Sequence, residues 1–455
     1  MECSYIVVIL ILLQLTASLN SKSIIKNLPG FDGELPFTLE TGYVGIGEDD
    51  AVQVFYYFVE SQRDPLHDPL LLYTAGGPGT SGLYPFLYQI VWVSNKYQFR
   101  NSTWTNITFE LNEKSWTKVA NMIFVDLPVG TGFSYSKTYE ASRSSDSGLA
   151  FQSYEFIQKW LVEHPKFLDN PLYISGISYM GIVIPAATLE VYKGNERGNQ
   201  PQVNIKGCLC VSPLTDKFND FNSRLEFAHR VALISDDIYE STKETCNGNY
   251  ITNDPENTLC SNNLQRVDEC TSGLNIANIL DPVCDAANPE PICREAAQIY
   301  LENWANSKVV QKALHIREGT IETWQKNNDS LHYDINKEDT VYYSFDIFSS
   351  VEYHRHLISR NSHVLILNGD HDMNFPYVGT EKWIKSLELP IKNPWKPWFV
   401  SNQIVGYKTT YAKNGYTLTY ATIKGAGHGV ALYKPDEALA IVDGWFSSHS
   451  YLCDS

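Results

Sequence analysis

The sequence lacks any long apolar run beyond its first twenty residues. No later stretch approaches the roughly 18 to 20 consecutive apolar residues of a membrane-spanning helix, so no membrane association is expected once a leader is removed. Positive charge is scarce as well, because 35 Lys and Arg stand against 52 Asp and Glu, for a formal net charge of −17. Nucleic-acid phosphates would repel such a chain, so nucleic acid is not expected as a partner.

Tight cysteine pairs, charge blocks and internal repeats are also missing. Without a Cys-x-x-Cys pair, the cysteines predict no zinc site, and neither a metal nor an organic cofactor is expected. The scattered charges predict no acidic tail and no disordered block. The 455 residues, with 43% hydrophobic content, suffice for one large α/β domain with an insertion or for two domains.

The first twenty residues resemble a secretory signal peptide. The apolar run Tyr5–Leu13 precedes the small residues Thr16–Ser18, which predicts cleavage near residue 20. Glu2 and the lack of a Lys or Arg before the run depart from that pattern. A buried N-terminal strand is therefore the alternative.

Glycosylation signals and cysteines agree with secretion. Asn-x-Ser/Thr sequons occur at Asn101, Asn106 and Asn328. Five cysteines lie between Cys246 and Cys293, which in an oxidising lumen predicts local disulfides in a loop-rich insertion. Cys208 and Cys210 lie in an apolar run and are expected to be buried thiols. We predict a protein of the secretory pathway, either secreted or vacuolar.

Strand and helix patterns alternate along most of the chain. The alternating run Val52–Val59 and the apolar run Pro69–Tyr73 predict an antiparallel hairpin that feeds a central strand. Further strands are predicted at Val119–Asp126, Pro171–Ser175, Val203–Ser212, Ser362–Asn368 and Tyr416–Ile423, and helices at residues 148–163, Ile182–Val191 and Pro435–Trp445.

The strand pattern stops between about residues 215 and 335, where helical pieces, Cys-rich turns and polar loops replace it. An alternating series interrupted once indicates an α/β-hydrolase fold, with a mixed central sheet and an inserted, mainly helical, disulfide-bearing cap. We predict a signal peptide at 1–20, the first part of the core at 21–214, the cap at 215–335 and the second part of the core at 336–455.

The segment Gly176–Gly181 resembles a Gly-x-Ser-x-Gly nucleophile elbow, with its second glycine one position later. It follows a predicted strand and precedes a predicted helix. Small glycines let the backbone bend sharply there, so the hydroxyl of Ser178 would stand exposed above the sheet edge. The motif alone is weak, but its place between strand and helix predicts that Ser178 is a nucleophile.

A nucleophilic serine needs a base and an orienting acid, which on this fold follow in the order Ser, Asp or Glu, His. Asp372 lies in the loop after the predicted strand Ser362–Asn368. His428 lies in the loop after the strand Tyr416–Ile423. Both side chains thus fall at carboxyl ends of strands, and we predict a Ser178–Asp372–His428 triad.

The glycine-rich segment Gly76–Gly79 follows the predicted strand Pro69–Tyr73. Glycines there let backbone N–H groups approach a substrate oxygen without obstruction from Cβ atoms. We predict an oxyanion hole formed by the backbone N–H groups of Gly77 and Tyr179, with an ordinary tight turn as the alternative.

The sequence is identified as a member of the serine carboxypeptidase family, and it resembles the plant branch of serine carboxypeptidase-like acyltransferases. The resemblance covers almost the whole mature chain. It rests on the stretches Glu40–Gly45, Val125–Tyr135, Lys159–Pro165, Trp304–Asn306, Ala313–Arg317, Gly369–Met373 and Gly379–Thr380.

The resemblance implies a role for each site residue. Ser178 would be the nucleophile, His428 the base and then the acid, and Asp372 the residue that orients the histidine, whereas Asp370 would be structural. The chemistry would pass through an acyl-enzyme that water or an acceptor hydroxyl resolves.

The chain departs from the family beside the nucleophile. The family usually has Asn or Thr where this chain has Ala75, directly before Gly76, and Glu or Asp where it has Ile177. In the peptidases, Asn and Glu at these positions bind the terminal carboxylate of the substrate. Neither Ala75 nor Ile177 can do so, and efficient carboxypeptidase activity is not expected. The acyltransferases carry Asp at the second position, so Ile177 weakens that likeness too.

The family's loop disulfide is missing. By alignment its two cysteines correspond to Thr80 and approximately Asn327, so both halves are lost together. The resemblance implies that the remaining pairs are Cys246–Cys260 and Cys284–Cys293. Cys270 stays unassigned, and Cys270–Cys293 is the alternative to the second pair.

Three functional hypotheses follow. The first is an acyltransferase that takes a small-molecule acyl donor, a glucose ester, and transfers the acyl group to an acceptor hydroxyl. The second is a hydrolase of the same class, a carboxypeptidase with a peptide substrate or an esterase. The third is a catalytically silent binding homologue, which Ala75, Ile177 and Tyr73 (usually Trp in the family) favour and the complete triad opposes.

Overall fold

The structure of the protein, a computed structural model, describes residues 22–90, 92–97, 107–251, 254, 256–284, 296–328 and 343–450. The expected signal peptide, Asn101, Asn106 and Cys293 lie outside these residues. Within them, no helix has both the length and the apolar character that are needed to cross a membrane.

The strands of the described residues are β1 (Lys22–Ile25), β2 (Leu39–Ile46), β3 (Val52–Val59), β4 (Leu70–Thr74), β5 (Trp92–Tyr97), β6 (Ile107–Leu111), β7 (Asn121–Val125), β8 (Tyr135–Ser136), β9 (Ser144–Ser145), β10 (Leu172–Ile177), β11 (Ile205–Val211), β12 (Tyr343–Ser344), β13 (His363–Gly369), β14 (Ile391–Val400), β15 (Gln403–Lys413) and β16 (Tyr416–Ile423). The α-helices are α1 (Asp146–Glu163), α2 (Met180–Glu196), α3 (Lys217–Arg230), α4 (Asp236–Cys246), α5 (Thr258–Thr271), α6 (Ala296–Ala305), α7 (Lys308–Ala313), α8 (Val351–Ile358), α9 (Tyr377–Ser386), α10 (Val430–Tyr433) and α11 (Pro435–Ser450).

One large mixed sheet organises the molecule. Its strand order is β1-β2-β3-β7-β4-β10-β11-β13-β16-β15-β14, with β8 paired to β3. The strands from β7 to β16 in this order run parallel, and antiparallel strands flank them on both sides. Central strands such as β4 are buried at every residue, because packed layers cover both faces, and they are therefore continuous apolar runs. The predicted mixed sheet is confirmed.

The predicted hairpin between Val52–Val59 and Pro69–Tyr73 is wrong. β7 lies between these two segments, antiparallel to β3 and parallel to β4. The buried carboxylate of Asp68 shapes the connecting turn, where it accepts a hydrogen bond from Ser61 and pairs with Arg63. Alternation identifies a strand but not its neighbour, since the neighbour depends on which apolar faces pack together. The β14–β15 hairpin was not predicted.

The insertion that follows β11 is mainly helical and carries a disulfide, as predicted. Cys246 at the end of α4 is bonded to Cys260 in the first turn of α5. α3 contributes Leu225 and Phe227 to a small apolar cluster that also contains Ile234. In contrast, α6 and α7 contribute to the apolar layer that covers one face of the large sheet. The boundaries at residues 215 and 335 stay a prediction.

Two aspartates are buried near the carboxyl edge of the sheet. Asp126 follows β7, and Asp220 lies in the first turn of α3. Burial raises the pKa of Asp126 to about 6 and the pKa of Asp220 to about 7. The two shifts occur although backbone N–H groups donate to both carboxylates.

We expect the contribution of Asp220 to the free energy of unfolding to fall as the pH rises from 5 to 8. Its folded pKa lies above the unfolded value of about 3.9, so the folded state binds more protons between those values and loses this advantage as the pH passes the folded pKa. Thermal unfolding of the wild type and of Asp220→Asn measures the effect as a difference between the two proteins.

The comparison of wild type with Asp220→Asn is needed because His354 and His363 change the stability in the opposite direction below pH 6.5. Burial lowers their pKa values to about 3 and about 4, so their contribution to stability is lost on acidification. The stability of the wild type minus that of Asp220→Asn should fall with rising pH. A difference that is independent of pH would contradict the expectation.

Candidate active site

The turn between β10 and α2 places Ser178 at the carboxyl edge of the sheet. Its φ of 68° lies in the left-handed region that residues other than glycine rarely adopt. The Ser178 N–H donates to the Val211 carbonyl at 2.9 Å, which ties the turn to β11. The flanking residues must be small, because a Cβ on Gly176 would overlap the Thr74 carbonyl oxygen and a Cβ on Gly181 would overlap a proline side chain.

The loops after β13 and β16 bring the predicted acid and base together. Asp372 is buried, and its Oδ2 lies 2.9 Å from Nδ1 of His428. Its Oδ1 accepts the N–H of Asn374 at 2.7 Å, which fixes the carboxylate. With Nδ1 donating to Asp372, Nε2 of His428 is left to act as a base.

Ser178 and His428 line the same cavity. Within the residues that the structure describes, no hydrogen bond joins the Ser178 hydroxyl to the imidazole. Serine enzymes without substrate often have this looser geometry, which tightens when substrate binds.

Asp370 has a different role from Asp372. Its Oδ1 accepts the N–H of Gly425 at 2.6 Å and lies 2.6 Å from Nδ1 of His371. The carboxylate therefore connects the loop of the predicted acid to the loop of the predicted base. Among the described residues, no hydrogen bond or ion pair joins it to the imidazole of His428.

The glycine loop after β4 lies against the nucleophile. A Cβ on Gly76 would come within 2.6 Å of the Ser178 Cβ, so only glycine fits there. Gly77 has a φ of 115°, which a larger residue would not adopt. In the described part of the chain, neither the Gly77 N–H nor the Tyr179 N–H donates a hydrogen bond. Both can therefore donate to a substrate oxyanion.

The carboxyl of Asp126 holds the glycine loop in place. Oδ1 accepts hydrogen bonds from the Ser81 hydroxyl at 2.6 Å and the Gly82 N–H at 2.8 Å. Oδ2 accepts the Phe133 N–H at 2.9 Å. The sequence pattern assigns Asp126 no role, although it ends a predicted strand, and a position at the end of a strand is also the signal that identified the loop of Asp372.

A segment of the insertion supports the loops of both the predicted acid and the predicted base. The His428 N–H donates to the Ala277 carbonyl at 2.7 Å, and the Met373 N–H donates to the Ile276 carbonyl at 2.9 Å. The Ile279 N–H donates to the His371 carbonyl at 3.2 Å. These backbone contacts join segments that are distant in the chain, so no local sequence signal could have revealed them.

Arg224 on α3 also supports the acid loop. Its Nε and Nη2 donate to the Asn374 carbonyl at 3.1 and 2.8 Å. Burial lowers the pKa of Arg224, and the neighbouring Asp372 opposes that shift. The guanidinium therefore places a positive charge beside the buried carboxylate.

A cavity of about 310 Å³ opens beside Ser178. Ala75, Gly76 and Ile177 form apolar lining next to the nucleophile. Besides Ser178 and His428, the polar side chains of the lining are Thr80, Tyr84, Asn275, Asp281, Lys326, Asn327, Asn374 and Tyr433. Among the described residues, no group of three or more His, Cys, Asp or Glu side chains is arranged to hold a metal ion.

Comparison with known proteins identifies the family. The family model described as "Serine carboxypeptidase" matches residues 29–448. The chain belongs to the serine carboxypeptidase family. Serine carboxypeptidase-like 16 of Arabidopsis thaliana is 44% identical over 437 residues, which cover 96% of each chain. Serine carboxypeptidase-like 3 of the same plant is 42% identical over 426 residues, 94% of this chain and 92% of the relative.

A solved structure shows the same fold. Kex1(delta)p, a prohormone-processing carboxypeptidase from Saccharomyces cerevisiae, superposes with a TM-score of 0.71 at 19% identity, covering 93% of this chain and 95% of that one. The predicted α/β-hydrolase fold, the family and the class of serine-nucleophile enzyme are confirmed. The roles of the individual site residues stay predictions.

The two positions aligned with the family's loop disulfide are in contact in this serine carboxypeptidase homologue. Thr80 and Asn327 form an antiparallel bridge, and the Thr80 hydroxyl donates to Oδ1 of Asn327 at 2.7 Å. The Ser81 N–H donates to the Lys326 carbonyl, and the Asn328 N–H donates to a carbonyl on the other side of the bridge. Thr80 and Asn327 are thus a non-hydrogen-bonded pair, whose Cα atoms typically lie about 4.5 Å apart.

The structure confirms some of the predictions for the other cysteines and leaves others, including the glycosylation of Asn328, as predictions. Cys208 and Cys210 are buried free thiols, as expected. Cys284 is disulfide-bonded, and Cys284–Cys293 stays a prediction because Cys293 lies outside the described residues, whereas free Cys270 excludes the alternative Cys270–Cys293. The Asn328 amide donates to a backbone carbonyl at 2.6 Å, and its glycosylation stays a prediction.

We expect a fluorophosphonate to label the purified protein rapidly at Ser178 and to leave Ser178→Ala unlabelled. Asp372→Asn should lower the labelling rate by about 10²- to 10⁴-fold, because His428 loses the partner that orients it. Asp370→Asn is the matched control in the same loop and should lower the rate far less. An equal loss in both variants would contradict the assignment of the acid.

We expect the double variant Thr80→Cys with Asn327→Cys to form a disulfide, because cross-strand pairs of this kind have suitable Cα separations. Mass spectrometry and thiol titration detect the bond. It should raise the free energy of unfolding by about 2 to 4 kcal/mol relative to the reduced form. Each single variant is the control. Two thiols that remain reactive in air would contradict the pairing.

Proposed function

We propose that this member of the serine carboxypeptidase family is an acyltransferase that uses a glucose ester as acyl donor. Ser178 Oγ attacks the ester carbonyl while Nε2 of His428 takes the hydroxyl proton, and the N–H groups of Gly77 and Tyr179 bind the oxyanion. The proton then passes to the departing glucose oxygen. An acceptor hydroxyl, deprotonated by His428, attacks the acyl-enzyme and restores Ser178.

The observation that carries this proposal is the apolar lining beside the nucleophile. Ala75 is 2% exposed and Ile177 is 6% exposed, and neither side chain has a donor for a carboxylate. A missing polar contact to a charged group costs about 1.5 to 3 kcal/mol, so two missing contacts disfavour a peptide C-terminus by about 100-fold or more.

The remaining lining of the cavity suits a neutral, hydroxylated group. Asn275 and Asn327 offer amide donors and acceptors, and Asp281 offers a carboxylate acceptor. Sugar hydroxyls can donate to and accept from such groups. Asp281 would instead repel the carboxylate of a substrate. These polar groups support a glucose leaving group.

Lys326 favours a second candidate, a carboxypeptidase. Its ammonium lies 4.2 Å from the centroid of the Tyr84 ring, and the residue lines the cavity. A lysine in this place could pair with the terminal carboxylate of a peptide and replace the missing Asn and Glu. The hydrolase hypothesis therefore depends on Lys326.

We place the protein in the secretory pathway, either secreted or vacuolar. The leader-like first twenty residues support this location. The disulfide Cys246–Cys260 also supports it, because such bonds persist in oxidising compartments.

We expect the purified protein to transfer acyl groups from glucose esters to a panel of alcohol acceptors faster than it hydrolyses blocked dipeptides. Product analysis and kcat/KM for both reactions check this, with Ser178→Ala as the inactive control. Lys326→Gln should leave transfer largely unchanged. Ala75→Asn combined with Ile177→Glu should raise dipeptide hydrolysis by about 100-fold or more, because both carboxylate contacts are restored.

Two outcomes would overturn the proposal. Efficient dipeptide hydrolysis that is lost in Lys326→Gln would establish the carboxypeptidase. Neither transfer nor hydrolysis with any substrate, together with no fluorophosphonate labelling, would favour the catalytically silent homologue.

A further inference from the structure

A second cavity, of about 580 Å³, lies at the end of the sheet where β14 is the edge strand. The β14–β15 hairpin, β16 and α11 enclose it. It shares no lining residue with the cavity beside Ser178. Nothing in the proposed acyl transfer uses it.

The charged side chains that line this second cavity are all lysines. Lys392, Lys396 and Lys408 line it, whereas no Asp or Glu does. His449 lines it too, but burial lowers its pKa and favours the neutral imidazole. Within the described ranges, none of the three lysines forms an ion pair or a side-chain hydrogen bond. The cavity therefore concentrates positive charge in a chain whose net charge is −17.

Two of these lysines face each other across a strand pair. Lys396 on β14 and Lys408 on β15 are direct partners in the register of the hairpin. Like charges at directly opposite positions destabilise a strand pair. Burial and the charge of Lys396 both lower the pKa of Lys408. An anion between the two ammonium groups would relieve this repulsion.

Protection of an edge strand does not account for the whole arrangement. Lysines and prolines on an edge discourage pairing with other chains, and β14 carries Lys392, Pro394, Lys396 and Pro397. Lys408, however, lies on β15, which is hydrogen-bonded on both sides, and it is half-buried. Edge protection gives no reason for a lysine there.

The rest of the lining offers hydroxyl groups and aromatic rings. Thr410, Thr417 and Thr419 bring side-chain hydroxyls to the cavity on β15 and β16. Trp398 and Trp445 bring indole rings from the hairpin and from α11. The volume exceeds what a bare inorganic anion needs, so a ligand with a carbon skeleton fits better.

We propose that this cavity binds an organic phosphate, whose dianion lies between Lys396 and Lys408 and whose apolar part packs against Trp398 and Trp445. A phosphate monoester carries up to two charges and three acceptor oxygens, which match two ammonium groups and the adjacent hydroxyls. The site is separate from the Ser178 cavity and does not depend on the proposed acyl transfer.

Calorimetric titration with phenyl phosphate, inorganic phosphate and phenol tests the site on the Ser178→Ala variant, which removes any reaction at Ser178. Phenyl phosphate should bind, inorganic phosphate should bind more weakly, and phenol should not bind. Lys408→Gln and Lys396→Gln should each weaken the binding of phenyl phosphate by about tenfold or more. Lys413→Gln, on the same strand as Lys408 but outside the cavity lining, is the matched control and should leave the affinity unchanged.

Other results would overturn the assignment. No binding of phenyl phosphate at millimolar concentration would leave edge protection as the role of Lys392 and Lys396, and Lys396→Gln would then aggregate more readily. An equal loss of affinity in Lys413→Gln would show non-specific attraction of anions. Equal affinity for the two phosphates would remove the role assigned to Trp398 and Trp445. Folding of each variant is verified by circular dichroism and by its thermal unfolding temperature.

Discussion

The close approach of two backbone turns at the carboxyl edge of the sheet is the constraint on which the candidate active site depends. Gly76 lies so near to Ser178 that a Cβ there would overlap the serine side chain. This contact requires glycine in one turn and a left-handed backbone at Ser178 in the other. It brings the N–H of Gly77 next to the nucleophile, a geometry that neither turn could create alone.

Two aspartates connect the loops of the candidate site. Buried Asp126 accepts hydrogen bonds from Gly82, in the loop after β4, and from Phe133, in the loop after β7, and partly buried Asp370 links the loops of Asp372 and His428. The insertion adds backbone hydrogen bonds to the loops of Asp372 and His428 through Ile276, Ala277 and Ile279. The insertion therefore supports the candidate site as well as lining the cavity.

The two positions aligned with the family's loop disulfide are in contact without a covalent link. Thr80 and Asn327 form an antiparallel bridge, and the Thr80 hydroxyl donates a hydrogen bond to Oδ1 of Asn327. Backbone hydrogen bonds on both sides of the pair hold the two segments together. In the same region, Ala75 and Ile177 are buried and offer no side-chain polar group to a ligand.

The sequence by itself determined the features that depend on local pattern. Continuous apolar runs predicted the parallel strands, and glycines around Ser178 predicted the elbow, because the backbone angles of a sharp turn admit few other residues. The order of Ser178, Asp372 and His428 after successive strands predicted that they meet at one edge. Only the tertiary structure decided that β7 separates β3 from β4, that Asp126 and Ala277 support the site, and that Lys396 faces Lys408. These contacts join segments far apart in the chain. Their energy comes from packing and burial between those segments, which the pattern of a single local stretch does not specify.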